Sequence, residues 1–184
     1  NEMPLPATLT DPVFLDVLPR TPLATISFAD GSSYDMATLL ESYLDTPDAT
    51  IYGSEGNDEL LGTEFDDVMQ ALGGDDILIG GRGNDFMDGG SGDDLFLVEG
   101  RRQGKDRIVG GEGYDIVSGG DGNDRISLVE LSPLDGIELI DGGQGLNTIA
   151  GTGAGNMLDF SGTGLLNIGT IDGRGGRDTI TGSS

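Results

Sequence analysis

The chain has 184 residues, with 33 acidic against 9 basic residues, 34 glycines and a formal net charge of −24. Because it contains no Cys, His or Trp, the sequence excludes disulfides, zinc sites built from Cys or His, and nucleophiles activated by histidine. Nucleic acid and anionic membrane surfaces are disfavoured as partners, since both carry the same sign of charge. No apolar run approaches the about 18 residues of a membrane span, so we predict no membrane insertion.

The composition changes near residue 50. Six of the seven prolines lie in residues 1–47, whereas 33 of the 34 glycines lie from Gly53 onward. In chain order, the Pro-dotted residues 3–22 predict an extended segment. Ala24–Phe28 then predicts a short strand, and Met36–Leu44 a helix with apolar residues at helical spacing.

We interpret residues 1–50 as a small N-terminal strand-plus-helix cap, with a mobile linker as the alternative. The cap interpretation follows from the general need of stacked repeats for a terminal cover. Within this region, Asp11-Pro12 offers a weak hypothesis of a labile or self-cleaving bond.

From Gly53 the sequence repeats every nine residues, as in GGRGNDFMD at 80 and GGSGDDLFL at 89. Three residues, Val98–Gly100, interrupt the repeats, and two longer spacers follow at Leu128–Asp141 and Phe160–Asp172. Nine-residue blocks begin at residues 53, 62, 71, 80, 89, 101, 110, 119, 142, 151 and 173.

The columns of the repeat predict both a strand and a cation site. The eighth position is apolar in every block, and the last three residues alternate outward, inward and outward as in a short strand, so two blocks form one coil. Glycines at the first, second and fourth positions let the backbone adopt positive φ and turn its carbonyls inward. Asp at the sixth position adds a carboxylate. Calcium favours such mixed oxygen ligands, whereas magnesium demands a tighter octahedron.

These blocks resemble the glycine-rich nonapeptide of the repeats-in-toxin (RTX) family, the haemolysin-type calcium-binding repeats. The resemblance covers residues 53–127 closely, and 142–159 and 173–181 loosely. It implies an all-β, right-handed parallel β-roll with calcium between blocks n and n+2, a one-step bacterial exporter as partner, and folding outside the cell. The ligands that it implies are the side chains of Asp58, Asp67, Asp76, Asp85, Asp94, Asp106, Asp115, Asp124 and Asp178, with the backbone carbonyls of Gly81, Gly83, Gly90 and Gly92.

Several residues depart from the family pattern or stand outside it. Asn147 and Asn156 replace the sixth-position Asp, and Phe65 replaces a fourth-position Gly. The fifth-position acids and amides are expected to be solvated or to form turns. The only basic cluster predicts a solvated edge, with docking of an acidic neighbour as the alternative; it consists of Arg101, Arg102, Lys105 and Arg107.

The two spacers share an apolar pattern, Leu-x-x-Ile-x-x-Ile-Asp, at residues 134–141 and 165–172. We predict that they form wider coils that extend the core and close the far end of the roll. The alternative is a ledge that binds a ligand.

The charge of the repeats indicates that they depend on calcium. Residues 53–127 hold 13 Asp, 5 Glu and 6 Lys or Arg, a net charge of −12. Pairing each block with the next but one gives about six sites, whose divalent ions would bring about +12. We therefore predict an apo chain that is unfolded and a calcium-bound chain that is folded. Asp124→Ala should weaken this folding, and Asp121→Ala should change little.

The sequence thus predicts an N-terminal region 1–50, regular calcium-binding repeats at 51–127 and degenerate, wider coils at 128–184. We expect a secreted or cell-surface calcium-binding module, with no catalytic residue of its own, that serves folding, secretion or spacing in a larger exported bacterial protein. The alternatives are an accessory module of a secreted hydrolase, lyase or polysaccharide epimerase, and an adhesin module that binds carbohydrate or a surface. We also expect the chain to be a piece of a longer polypeptide.

Overall fold

The computed structural model describes residues 26–27, 33–34, 50–98, 100 and 103–182. The chain divides into two units, Asn1–Asp45 and Thr46–Ser184. In the first unit, strands β1 (Ile26–Ser27) and β2 (Ser33–Tyr34) pair antiparallel. Strand β1 lies within the predicted strand Ala24–Phe28. The predicted helix at 36–44, the extended segment and Asp11-Pro12 lie outside the described residues.

In the second unit, the last third of each nonapeptide forms a strand, as its alternating pattern predicts. Every pairing between these strands is parallel. The strands are β3 (Thr50–Tyr52), β4 (Glu59–Leu61), β5 (Val68–Gln70), β6 (Ile77–Ile79), β7 (Phe86–Ser91), β8 (Leu95–Leu97), β9 (Arg107–Glu112), β10 (Ile116–Ser118), β11 (Arg125–Ser127), β12 (Leu139–Asp141), β13 (Asn147–Ala150), β14 (Met157–Asp159), β15 (Gly164–Leu166), β16 (Ile168–Asp172) and β17 (Thr179–Thr181).

From β3 to β8, each strand pairs with the next but one, so two blocks make one coil; β12, β13 and β14 pair instead with the third strand along. One sheet has the order β4-β6-β8-β10-β12-β15, and another has the order β3-β5-β7-β9. In the first of these sheets, the register places Leu60 opposite Leu78, and Leu78 opposite Phe96. The fold is therefore a parallel β-solenoid, and the predicted parallel β-roll is confirmed.

The coils lengthen along the chain because of the inserted segments. Sixth-position residues that stack in adjacent coils lie 18 residues apart in the first coils, 21 apart across the insertion 98–100, and 23 apart across the first spacer. After the insertion, two further parallel sheets form, β11-β13-β16 and β14-β17. The coils that contain the spacers are thus longer than the first coils.

The core is the apolar column inside these sheets. Phe96, Ile126 and Ile149 are fully buried, and Ile137 and Ile140 of the first spacer join the same cluster. Two residues depart from the predictions. Ile180 is 46% exposed in the last described strand, and Leu134 is 94% exposed, so the prediction that Leu134 extends the core is wrong.

Leu134 is exposed because it sits on a short 3₁₀ turn, Pro133–Asp135. Ser132 caps the turn through its hydroxyl, and the Asp135 carboxylate accepts the Ser132 N–H at 2.7 Å. Local capping therefore sets the path of the spacer here, rather than its apolar pattern. Within the described residues, no helix has the length and apolar character needed to cross a membrane.

Arg107 holds this turn against the roll. It lies 2.6 Å from a carboxylate oxygen of the buried Asp135 and 3.0 Å from Glu130. The predicted solvated basic edge is therefore wrong for Arg107, whose side chain is only 25% exposed. Lys105 is exposed as predicted, and Arg101 and Arg102 lie outside the described residues.

We expect Arg107→Ala to lower the free energy of unfolding by about 1–3 kcal/mol, because it leaves the buried Asp135 carboxylate without its cation. The matched control is Arg82→Ala, whose bridge to Glu64 spans 3.5 Å between side chains that are 60% and 62% exposed. That change should cost less than about 1 kcal/mol. Urea unfolding in saturating calcium measures both, and equal losses would contradict the role of Arg107.

Candidate metal centre

Because two blocks form one coil, the sixth-position aspartates stack inside the roll in two columns. In the first column, the N–H of one residue donates to the Oδ1 atom of its counterpart one coil later: Asp58 to Asp76 at 2.7 Å, Asp76 to Asp94 at 2.9 Å and Asp94 to Asp115 at 2.9 Å. The second column joins Asp67, Asp85 and Asp106 in the same way. We call the two columns together the carboxylate ladder. Asp58 and Asp178 are half-buried, and the remaining members are buried: Asp67, Asp76, Asp85, Asp94, Asp106, Asp115 and Asp124.

The second oxygen of many ladder residues has no partner. The Oδ2 atoms of five aspartates are buried without a hydrogen-bond donor. A buried, uncompensated carboxylate oxygen is costly, because it has lost its water and gained nothing in exchange. Such atoms call for a proton or a cation. The five aspartates with an unpartnered Oδ2 atom are Asp76, Asp85, Asp94, Asp115 and Asp124.

Four of these orphaned oxygens border a small space beside the first glycine of their block; the exception is Asp76, whose block begins with Ala71. A Cβ atom added to Gly119 would lie 3.2 Å from Asp124 Oδ2 and 2.7 Å from the carbonyl oxygen of Gly142, one coil later. The space is thus bounded by a carboxylate from one coil and a carbonyl from the next. We call it the glycine gap. The same pairing of a carboxylate with a carbonyl one coil later surrounds Gly53, Gly62 and Gly89.

The donor set consists of oxygen atoms of mixed type. Within the described residues, no three Asp or Glu side chains converge into a metal cluster. Each glycine gap instead combines the Oδ2 atom of one carboxylate with backbone carbonyl oxygen. This chemistry fits a hard cation such as calcium, which accepts carboxylate and carbonyl oxygen together.

Burial changes the protonation of the ladder. It raises the pKa of Asp85 and Asp106 to about 7, and that of Asp94 and Asp115 to about 6, with smaller contributions from neighbouring carboxylates. Backbone N–H donors act against this rise without cancelling it. Without a cation, the buried carboxylates therefore compete for protons near neutral pH.

The four glycines predicted as backbone ligands all have positive φ, between 91° and 125°. A Cβ atom at any of them would collide with a backbone carbonyl of the preceding coil. A side chain is therefore excluded where adjacent turns pack together, and the assignment of these carbonyls as ligands stays a prediction. The glycines are Gly81, Gly83, Gly90 and Gly92.

A family model for the RTX calcium-binding nonapeptide repeat matches the chain in four copies, at residues 50–67, 61–96, 102–128 and 167–184. The chain belongs to this RTX family. The RTX nonapeptide repeats bind calcium, so calcium is the ligand of this chain, and the repeats are a structural module rather than a catalytic one. No curated protein and no solved structure matches the chain.

A second ladder runs along the outside of the RTX turns, formed by fifth-position side chains. Asn57 Oδ1 accepts the Asp75 N–H at 3.0 Å, Asp75 accepts the Asp93 N–H at 3.0 Å, and Asp93 accepts the Tyr114 N–H at 2.8 Å. These side chains are exposed and bind the turn of the following coil. They act as turn-forming groups, one of the two roles predicted for them.

The asparagines in the later blocks use both the oxygen and the N–H group of their side-chain amides in hydrogen bonds within the chain. Asn147 Oδ1 accepts the Asp124 N–H at 2.9 Å, as a ladder aspartate would. Its Nδ2 group donates to the Asn167 carbonyl at 3.1 Å, and Asn156 Nδ2 donates to the Val129 carbonyl at 2.7 Å. An amide N–H thus lies where an aspartate would leave an oxygen without a partner. The asparagine side chains themselves therefore leave no oxygen that needs a cation.

The pairing of blocks n and n+2 breaks at one predicted step. Asp106 forms a bridge with Leu128 rather than with Asp124, whose Oδ1 accepts the Gly100 N–H at 2.6 Å. The insertion 98–100 causes this change, because it supplies an extra backbone segment beneath strand β11.

Sequence reasoning missed one member of the ladder, Glu138. Its Oε2 atom accepts the Asp115 N–H at 2.8 Å, as the next aspartate does in the regular coils. The signal is present in the first spacer, because Glu138 stands two residues before the buried Ile140, the spacing between the sixth and eighth positions of a block.

We expect Gly80→Ala to weaken calcium-driven folding, raising its calcium midpoint roughly tenfold, which equals about 1.4 kcal/mol. The added Cβ would lie 2.5 Å from the orphaned Asp85 Oδ2 and crowd this ligand atom. In the control Gly56→Ala, the nearest atom to the Cβ is 3.9 Å away. A calcium titration followed by circular dichroism compares the two, and equal midpoints would show that the gap is not used.

Proposed function

We propose that calcium ions bound between successive coils fold this RTX roll, and that the roll serves folding, secretion or spacing in a larger exported bacterial protein. The observation that supports this most strongly is the set of buried Oδ2 atoms without a donor. Because a divalent ion in each glycine gap compensates these charges, its binding energy becomes folding energy.

The sixth-position carboxylates are the ligands in this proposal, joined by carbonyls of the adjacent coil. Asp106, Asp115 and Asp124 extend the set beyond the first five blocks, and Asp178 stands in the last one. Charge supports about six ions, since six divalent cations balance the net −12 of residues 53–127. Membership of a family whose repeats are typical of exported proteins supports the proposed secretion by an exporter and the proposed extracellular or cell-surface location.

A second candidate is an adhesin module that binds carbohydrate or a surface. An open polar groove of about 1000 Å³ lies over the later coils, lined by Asp121, Gln144 and Asn167 among others. Asn167 and its neighbour Ile168 belong to the second spacer, where the sequence allowed a ligand-binding ledge. Binding of soluble polysaccharides to the calcium-loaded chain tests this candidate. Absence of binding would contradict the adhesin role and favour the structural role. An accessory module of a secreted enzyme remains the further alternative for the parent protein.

The proposed calcium role is tested by two aspartates of one block. Asp124 is buried with an orphaned Oδ2, whereas Asp121 is exposed and accepts the Gln144 amide at 2.6 Å. We expect Asp124→Ala to raise the calcium midpoint of folding about tenfold, or by about 1.4 kcal/mol, and Asp121→Ala to change it by less than about threefold. Both variants lose one negative charge. Equal effects in a titration would mean that bulk charge, rather than ligand geometry, drives folding.

A further inference from the structure

The ladder continues into a coil that the RTX repeats do not include. Asp115 is fully buried, and its Oδ2 atom has no donor. The coil above it belongs to the first spacer, and the matched repeats end at residue 128 and resume at 167. The Asp115 N–H donates to Glu138 Oε2 at 2.8 Å, within 0.1 Å of the Asp94–Asp115 step. The longer glutamate thus reaches the place that an aspartate takes elsewhere.

The same step also supplies a carbonyl. A Cβ atom added to Gly110 would contact both Asp115 Oδ2 and the carbonyl oxygen of Gly136. In the regular coils this carbonyl comes from the first residue of a block, whereas here it comes from the residue that ends the 3₁₀ turn. Gly136 has φ of 67° and ψ of 41°, a left-handed conformation that turns its carbonyl and favours glycine.

The turn that presents this carbonyl is held in place independently of any ion. Asp135 pairs with Arg107 at 2.6 Å and also accepts the Ser132 N–H. Gly136 itself packs against the backbone of Gly111 so closely that a side chain would collide with it. The carbonyl oxygen is thus fixed beside the orphaned Asp115 carboxylate.

We propose that Asp115, Gly136 and Glu138 hold a further calcium ion, between the last regular turn and the first spacer coil. This site rests on the proposed function, because it uses the same glycine gap and the same kind of oxygen ligands. Its two carboxylates and one carbonyl present only oxygen, the preference of a hard cation. In the coil that follows Asp124, the Asn147 amide donates to the Asn167 carbonyl, so no orphaned oxygen stands at Asn147 itself. The Glu138 site therefore links the calcium-dependent coils to the coils beyond them.

The test counts calcium ions per chain by equilibrium dialysis. Glu138→Gln keeps the shape of the side chain and removes its charge. The control Glu112→Gln removes the same charge from an exposed residue of strand β9 in an adjacent coil. We expect the Glu138 variant to bind one ion fewer than the parent chain and the Glu112 variant to bind the same number. An unchanged count in the Glu138 variant, folded by circular dichroism, would overturn the site.

A second measurement keeps the proposal testable if the Glu138 variant does not fold. Crystals of the unaltered chain grown in calcium would be measured for anomalous scattering. A peak between Asp115 Oδ2 and the Gly136 carbonyl supports the site. Peaks beside Asp85 and Asp94 without a peak at this place would overturn the Glu138 site and leave the proposed function standing. No peak at any ladder step would overturn the proposed function as well.

Discussion

Removal of calcium is expected to unfold the repeat unit. The Oδ2 atoms of Asp76, Asp85 and Asp94 would then stay buried without a cation, and residues 53–127 would keep a net charge of −12. Self-repulsion and uncompensated desolvation both favour the open chain. With excess chelator at pH 8, we expect loss of the strand signal in circular dichroism, and a roughly twofold rise in the hydrodynamic radius of the repeat unit.

Adding a second salt to the chelated chain distinguishes two causes of this unfolding, the loss of bound calcium and general charge repulsion. Magnesium at the same concentration should restore little structure, because it demands a tighter octahedron and keeps its waters. Sodium chloride screens repulsion without filling any glycine gap, so it too should restore little. Full refolding by salt alone would assign the effect to general repulsion. A chain that keeps its strand signal in chelator would contradict calcium dependence.

Acid is expected to replace calcium in part. Burial raises the pKa of Asp85 and Asp106 from 3.8 to about 7, so the folded chain binds protons more tightly than the unfolded chain. Stability from these groups is therefore fully present below about pH 3.8 and is lost as the pH rises through about 7. Without calcium, we expect a chain with strand structure at pH 4.5 that unfolds between about pH 5 and 7.

The same pKa shifts predict that calcium releases protons. At pH 6, Asp85 and Asp106 are partly protonated in the folded chain, and a calcium ion must displace those protons. Titration calorimetry in buffers of different ionisation enthalpy measures this release, which should fall to near zero at pH 8.5. Asp121→Asn, at an exposed turn position, is the control and should leave the profile unchanged. An apo chain that grows more stable from pH 5 to 8 would contradict the account.

Much of the fold could be predicted from the nine-residue period. Alternation in the last three residues of a block predicts a strand with its eighth side chain inside, and Leu78 and Phe96 are indeed fully buried. Asp at the sixth position predicts the ladder, since equal spacing brings Asp76 and Asp94 together in adjacent coils. These features could be predicted because they depend on local geometry that repeats with the nine-residue period, and this period is visible in a single sequence.

The remaining features depend on where the coils change length. The insertion 98–100 separates Asp106 from Asp124, because it adds a backbone segment that the period cannot anticipate. Capping at Ser132 exposes Leu134 despite its place in an apolar pattern. The role of Glu138 becomes visible once the spacer coil is laid over the coil of Asp115.

The change from Asp to Asn along the ladder has a simple physical meaning. An aspartate brings two oxygens to a step, and at five aspartates from Asp76 onward one of them finds no donor within the protein. The Asn147 side chain brings one oxygen and one N–H group, and both have partners in the chain. The first arrangement requires an ion and the second does not. Calcium dependence should therefore be concentrated in the coils from Asp76 to Glu138.

The most direct test of this account is amide hydrogen exchange in the ladder itself. The N–H groups of Asp67, Asp76 and Asp85 donate to carboxylates of the following coil at 2.9 to 3.1 Å. With calcium at pH 8, we predict that these amides are strongly protected. After chelation they should exchange at the rate of an unfolded chain. Protection that persists in chelator would show that the ladder is stable without the ion, and would contradict the claim that calcium folds the roll.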